Sequence, residues 1–394
     1  MPLKNITAIQ YNILEEMPVA VIILKPNTFD IFYANPSAKN LLNRIRHVFP
    51  FNFDVSHMEG MSIDIFHKNP QKQRDILSDS SNLPHYARVT ISDQVLDLKI
   101  SAIHDGNGKF LTSMLTLENV TDEVNAVNKL YRLAHYDSLT GLPNRTLFFD
   151  KFSEMLREGQ EQCAVLYIDL DGFSIVNDTY GHHEGDELIR QFGVRLLEIS
   201  SDSDGSILFS RFGGDEFVCF LSEAKLKKAT DIAEQIVSLF RTPFYVNEHK
   251  IWVNASVGVA FMPAHGVEAD TLLGHADLAL CEAKRSGKGR VCFFSEDLAE
   301  KAWDAVKINK KLRTALINKD ELHVSFQNVV DLCSSQVVGR ETLIRWNNPV
   351  LGWVSPAVFV PIAEQSDTIE LLDEFVLEKA CYAALEWPEE ISVS

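Results

Sequence analysis

Arg211-Phe212-Gly213-Gly214-Asp215-Glu216-Phe217 joins two apolar runs, Ile207–Phe212 and Phe217–Leu221, through a pair of glycines. Glycine tolerates the positive φ of a tight turn, so the stretch predicts two strands of a hairpin. Two carboxylates follow the turn at once. Upstream, Ala164–Leu170 is an apolar run that ends among acids, as a buried central strand with a polar exit would be, and it sets Asp169 at its carboxyl end. If these strands are neighbours, Asp169, Asp215 and Glu216 converge at one sheet edge. Adjacent strand residues face opposite sides, which leaves Glu216 less certain than Asp215. Asp171 precedes a helix starting near Gly172 and suits its N-cap.

Clustered carboxylates repel unless a cation lies between them. Hard oxygen donors favour Mg²⁺ or Mn²⁺, and Mg²⁺ typically takes one or two carboxylates plus substrate phosphates. The chemistry expected of such a cluster is two-metal phosphoryl or nucleotidyl transfer. Gly213 and Gly214 would let backbone N–H groups approach a triphosphate.

Away from this centre the chain has three regions. Its 394 residues, 46% hydrophobic and 23% charged, are ordinary globular composition and enough for several domains. A formal net charge of -18 repels a phosphate backbone and argues against nucleic-acid or anionic-membrane binding. The six cysteines are scattered without a CxxC pair, and Pro18–Leu24 is too short to span a bilayer, so a cytoplasmic protein is expected. From about Ile9 to Thr121, short alternating runs (Val19–Leu24, Ile31–Tyr33, His85–Ile91, Gln94–Ile100, Phe110–Leu117) predict a small antiparallel sheet with helices on one face. Asp105-Gly106-Asn107-Gly108 marks a hairpin turn. Val120, Val124, Val127, Tyr131 and Ala134 then repeat at the 3.5-residue period of a two-helix coiled coil. Strands alternate with helices from Asp137 to about Phe294, and a shorter third region follows a charged break at Ser295–Lys301.

The glycine-rich stretch resembles the signature of GGDEF-domain diguanylate cyclases. Three further blocks extend the likeness: Asp137-Ser138-Leu139-Thr140-Gly141-Leu142-Pro143-Asn144-Arg145; Ile168-Asp169-Leu170-Asp171-Gly172-Phe173 with Asn177-Asp178 and Gly181-His182; and Ala276-Asp277-Leu278-Ala279-Leu280 with Ala283-Lys284. The resemblance implies that Asp169, the Leu170 carbonyl and Asp215 hold the metals with Glu216 beside them, Asp215 and Glu216 being the catalytic pair. It implies that Asn177 and Asp186 read guanine; a carboxylate accepts from N1–H and the exocyclic amine together, a pair adenine lacks. The competing reading of Asp186 is an N-cap. Lys284 and Lys288, four apart, would share a helix face and reach phosphates along with Gly213 and Gly214. The implied reaction joins two GTP, one on each protomer of a homodimer, into cyclic di-GMP and two pyrophosphates. The heptad seam would bring the two sites together.

Two positions depart from the family pattern. Ser174 stands where many members have Lys. The family's product-inhibition Arg-x-x-Asp falls on Asp204 and Ile207, so no feedback through that site is expected.

The third region resembles the beginning of an EAL phosphodiesterase domain: Phe326-Gln327-Asn328-Val329-Val330-Asp331-Leu332, Glu341-Thr342-Leu343-Ile344-Arg345-Trp346, Gly352-Trp353-Val354-Ser355-Pro356 and Phe359-Val360-Pro361-Ile362-Ala363-Glu364. Glu341 would be a metal ligand, and Gln327 and Arg345 substrate contacts. A whole domain of this kind is a TIM-like barrel of about 250 residues, so this part is expected to be truncated and unable to hydrolyse, either a piece of a longer protein or vestigial. The N-terminal region resembles a PAS sensor domain, through Met17-Pro18-Val19-Ala20-Val21 and Tyr33-Ala34-Asn35-Pro36. Phe66-His67-Lys68-Asn69-Pro70 resembles a PAS subgroup of which a few members bind haem, but Asp75 and Leu117 stand at its axial-histidine and distal-tryptophan positions. That leaves His67 as the remaining haem candidate and the PAS ligand unknown. The expected fold is therefore α+β and multidomain: a PAS antiparallel sheet over residues 1–120, a coiled-coil linker helix over 121–136, a palm-like mixed GGDEF sheet with flanking helices over 137–296, and an incomplete TIM-like EAL barrel over 297–394. A regulatory GTP-binding GGDEF module controlling an EAL phosphodiesterase in a longer protein is the alternative function.

Overall fold

Leu96, Leu98 and Ile100 alternate with polar neighbours, and they lie in a long strand whose apolar face is buried. The computed structural model describes residues 8–49, 54–66, 70–201, 205–388 and 391–394. Its contacts divide the chain into two units, residues 1–134 and 135–394.

In the first unit, α1 (Ala8–Glu16), β1 (Ala20–Leu24), β2 (Ile31–Ala34), α2 (Pro36–Ile45) and α3 (Pro70–Ser78) precede β3 (His85–Ile91), β4 (Gln94–His104) and β5 (Phe110–Asn119). The strands form one antiparallel sheet in the order β2-β1-β5-β4-β3. Asn35, fully buried, holds the turn into α2. Its Oδ1 accepts from Val21 N and Ala38 N, both at 2.9 Å, and its Nδ2 donates to Val19 O at 2.9 Å. One amide thus caps a helix and pins a strand, with Pro36 in the first helical turn. Between β4 and β5, Asp105 Oδ1 accepts from the N–H groups of Asn107 and Lys109 at 2.9 Å. The helix α4 (Thr121–His135) follows β5. On it Val127, Leu130, Tyr131 and Leu133 are exposed. Asp75 lies in α3 and Leu117 in the buried face of β5. His67 lies outside the described residues.

The second unit runs through α5 (Arg145–Arg157), β6 (Cys163–Asp171), α6 (Phe173–Tyr180), α7 (His182–Ser201), β7 (Ile207–Gly213), β8 (Glu216–Ser222), α8 (Leu226–Ser238), β9 (Phe244–Val246), β10 (His249–Ile251), β11 (Asn254–Met262), α9 (Ala269–Arg285) and β12 (Val291–Phe293). Its five-stranded sheet has the order β12-β11-β6-β8-β7, mixed because only the β11–β12 pair is parallel. Strand alternation gives the sheet two apolar faces. Ala164, Leu166 and Ile168 bury against α7 and α8; Cys163 and Val165 bury with residues of α5 and α9. At Gly258 the strand passes so close to α9 that a Cβ would lie 2.0 Å from the Ala276 carbonyl oxygen.

The chain continues as α10 (Glu296–Asn318), β13 (Leu322–Val330), β14 (Val337–Asn348), β15 (Gly352–Val354), α11 (Pro356–Glu364), α12 (Thr368–Ala384) and β16 (Ser392–Val393). These pack around a core of their own that includes Leu312, Leu316, Trp346, Phe359 and Phe375. Among the described residues this part forms a four-stranded sheet and no closed barrel.

Candidate functional site

The β7–β8 hairpin places the acids. Gly213 has φ +152° and Gly214 φ +50°, and a Cβ at either would meet open space, so backbone conformation rather than crowding calls for glycine at both. The turn is pinned from below by Arg211. Its guanidinium donates to the Gly214 carbonyl at 2.7 and 3.1 Å and pairs with Asp137 at 3.0 Å. Burial lifts the Asp137 carboxyl, but hydrogen bonds from Thr140 and the Arg211 charge outweigh it and hold it below the usual carboxylate range. Asp137 and Arg211 stand 74 positions apart, and no periodicity in the sequence pairs them.

Across the sheet, Asp169 is the register partner of Glu216. Glu216 therefore shares the face of Asp169, because Asp215 lies in the turn and β8 begins at Glu216. Burial raises the Asp169 carboxyl, the neighbouring charges of Asp215 and Asp171 add to this, and Lys284 opposes it. The three sequence-predicted acids are thus brought to one end of the sheet, with Asp169 in electrostatic reach of Asp215. Lys284 Nζ sits 2.6 Å from Asp169 Oδ1. On the same face, the Tyr167 hydroxyl donates to Glu216 Oε2 at 3.1 Å. Burial and the Glu216 charge push the Tyr167 phenol well above its ordinary range, which keeps it protonated. Asp277, on α9, is raised first by burial and then by Glu216. Tyr167 was not singled out from the sequence; strand alternation two residues before Asp169 is the signal that could have found it.

Asp171 does not cap α6. The helix N-cap is Gly172, without a side-chain cap bond. As the last residue of β6, Asp171 accepts instead from Ser256 Oγ at 2.8 and 3.0 Å and from Gly289 N at 2.9 Å. It ties β11 and the loop after α9 to the acidic edge. That loop also changes the reading of Lys288. Helix α9 ends at Arg285, and Lys288 sits at φ +60° between Gly287 and Gly289, so it does not share a helix face with Lys284. Two flanking glycines end the helix early.

On α6, Asn177 Oδ1 is buried without a hydrogen-bond partner. It faces Gly185 of α7, where a Cβ would lie 2.0 Å away. Asp186 is exposed in the second turn of α7, past the positions where an N-cap would stand. Ile207 is buried at the start of β7, and Asp204 lies outside the described residues.

The residues that would hold a metal, Asp169, Asp215 and the Leu170 carbonyl with Glu216 beside them, are hard oxygen donors. Among the described residues no group of three or more His, Cys, Asp or Glu is gathered as a metal cage. A Mg²⁺ ion usually completes such a partial set with water and phosphate oxygens, so the donors fit that class of ion. In the third region, Gln327 is the register partner of Glu341, and Arg345 lies four residues further along the face of Glu341. Gln327 and Glu341 are exposed, and the Arg345 guanidinium donates to the Ile344 carbonyl at 2.9 Å.

Residues 134–290 match the family model described as "Diguanylate cyclase, GGDEF domain", and residues 309–394 match that of the EAL domain. The bifunctional diguanylate cyclase/cyclic di-GMP phosphodiesterase MucR of Pseudomonas aeruginosa is 32% identical over 302 residues, covering 76% of this chain and 43% of MucR. The cyclic di-GMP phosphodiesterase PdeR of Escherichia coli is 32% identical over 289 residues, covering 72% of this chain and 43% of PdeR. This chain spans less than half the length of either relative. Among solved structures, the GGDEF domain of YfiN (TpbB) from Pseudomonas aeruginosa is 34% identical, covering 42% of this chain and 98% of that one with a TM-score of 0.40. No helix among the described residues is long and apolar enough to cross a membrane. The chain therefore carries a GGDEF domain over residues 134–290, followed by an EAL-domain segment over residues 309–394.

Proposed function

We propose that the chain is a diguanylate cyclase, condensing two GTP into cyclic di-GMP across a homodimer under the control of an N-terminal PAS domain. The observation that carries this reading is the meeting of Asp169 with Glu216 in register and with Asp215 in electrostatic reach, beside an open glycine turn. In the reaction, the 3′-hydroxyl of each GTP gives up its proton to water as its oxygen bonds to the α-phosphorus of the other, and the bond from each α-phosphorus to the bridging oxygen breaks to release pyrophosphate. Asp169, the Leu170 carbonyl and Asp215, with Glu216 alongside, would hold Mg²⁺ or Mn²⁺. The ion would neutralise charge gathering on the phosphate oxygens and lower the barrier electrostatically. Gly213 and Gly214 leave room for phosphate oxygens against backbone N–H groups, and Lys284 would turn from Asp169 to a phosphate. Asn177 and Asp186 would select guanine, the Asn177 amide oxygen having no hydrogen-bond partner within the protein. Arg211 holds the turn so that the acids stay aligned. Since one site carries one GTP, two domains must face each other, and the α4 seam would raise their local concentration.

The test is incubation with GTP and Mg²⁺ and separation of the nucleotides. Wild type should yield cyclic di-GMP, and Asp215→Ala should lower the yield by about 100-fold or more, the usual loss for a charge-stabilising group. A wild type that binds GTP normally yet forms no product counts against the cyclase and favours the second reading. In that reading the GGDEF domain binds GTP to control an EAL phosphodiesterase in a longer protein. The EAL segment at 309–394 supports it, as does the phosphodiesterase name of PdeR. Gln327, Glu341 and Arg345 would then belong to a substrate and metal site completed by further chain.

A further inference from the structure

We propose that Tyr167 is a positioning residue that fixes the Glu216 carboxylate for a divalent cation without cancelling its charge. The inference rests on the reading of residues 134–290 as a metal-dependent nucleotidyl transferase. Tyr167 and Asp169 point to the same face of β6, and their register partners are Val218 and Glu216. The phenol thus reaches one residue pair along the ladder to donate to Glu216 Oε2 at 3.1 Å, which leaves Oε1 for another partner. The ring is held edge-on to Phe212, with centroids 6.2 Å apart, so the donor is itself fixed by packing. A glutamate at the end of a strand has three side-chain torsions to restrict, and one hydrogen bond from a rigid ring restricts them.

The chemical type of the donor matters. Asp169 is paired with the Lys284 ammonium, a charge that an incoming divalent ion must displace. Glu216 is paired with a neutral hydroxyl. A Lys or Arg at position 167 would orient the carboxylate equally well but would neutralise it. A phenol orients it and brings no positive charge of its own, so the carboxylate keeps its attraction for a cation.

The experiment titrates the full chain with Mn²⁺, followed by the electron paramagnetic resonance of the free ion, in the presence of 3′-deoxy-GTP, which lacks the attacking hydroxyl. Tyr167→Phe is expected to weaken Mn²⁺ binding by about tenfold, the usual worth of a hydrogen bond to a charged group. Its melting temperature and its affinity for 3′-deoxy-GTP without divalent ions should stay at wild-type values. In turnover, the Mg²⁺ concentration giving half-maximal rate should rise while kcat at saturating Mg²⁺ is retained. In a Glu216→Gln background the same substitution should cost nothing further. Unchanged Mn²⁺ affinity in a folded Tyr167→Phe protein overturns the proposal and leaves the cyclase reading standing. So does an equal loss in the Glu216→Gln background. A wild type that binds neither Mn²⁺ nor 3′-deoxy-GTP overturns the nucleotidyl-transfer reading itself, and the proposal with it.

Discussion

Asp137 and Arg211 show how one ion pair can govern a site it does not enter. The guanidinium is shared between the Asp137 carboxylate and the Gly214 carbonyl, so the acidic turn is stabilised from a distant loop. Asp137 titrates below the usual carboxylate range in the folded state. A lowered carboxylate stabilises the fold above its unfolded pKa and loses that contribution as pH falls through the folded one. Asp137→Asn should therefore melt below wild type from pH 8 to about 5, with the gap closing below about pH 4. Melting curves across that range check it; a gap that widens in acid would contradict the pairing. Gly185 offers a second test. Its Cβ would fall 2.0 Å from Asn177 Oδ1, so Gly185→Ala must push the amide aside. GTP affinity should drop by about tenfold or more, the scale of one polar contact, while Asp186 is untouched. Isothermal titration measures this directly. The places of Asp169 at a strand end and Asp215 in a glycine turn were legible from the sequence, whereas the facing of Glu216 depended on the register of β8. The tasks of Asp171 and Lys288 were not legible, because both depend on a loop closing from the far end of α9.

The elements recapitulate their patterns closely. The strand readings around Ile31, His85 and Phe110 match β2, β3 and β5, since alternation survives wherever one face of a sheet is wet. The 3.5-residue repeat falls on a helix, α4, with Val127 and Tyr131 exposed on it. If that seam pairs two chains, Val127→Asp should shift sedimentation toward monomer and make cyclic di-GMP formation strongly dependent on protein concentration. The close approach of β11 to α9 had no counterpart in the pattern reading. Gly258 looks like an isolated glycine in an apolar run, yet it admits the α9 backbone. Gly258→Ala should cost about 3 kcal/mol, the upper end for overpacking, read as a lower denaturation midpoint.

Across the whole molecule, residues 1–134 and residues 135–394 form separate units, each with its own apolar clusters. A sensor that acts through α4 should leave its mark when it is removed. We expect cyclic di-GMP formation per mole to differ between the full chain and residues 121–394, with Asp215→Ala lowering product by about 100-fold or more in both; nucleotide separation after equal incubation measures the difference. Equal rates would show that the first unit does not regulate the second. From order and spacing alone came the strand runs, the glycine turn and the acids beside it, because strand alternation and turn chemistry are local properties. Tertiary packing alone decided that Glu216 faces Asp169, that Tyr167 holds it, that Arg211 reaches Asp137, and that Asp171 binds a loop 118 residues away. Such partners are chosen by sheet register and loop closure, which bring together residues that no local periodicity connects.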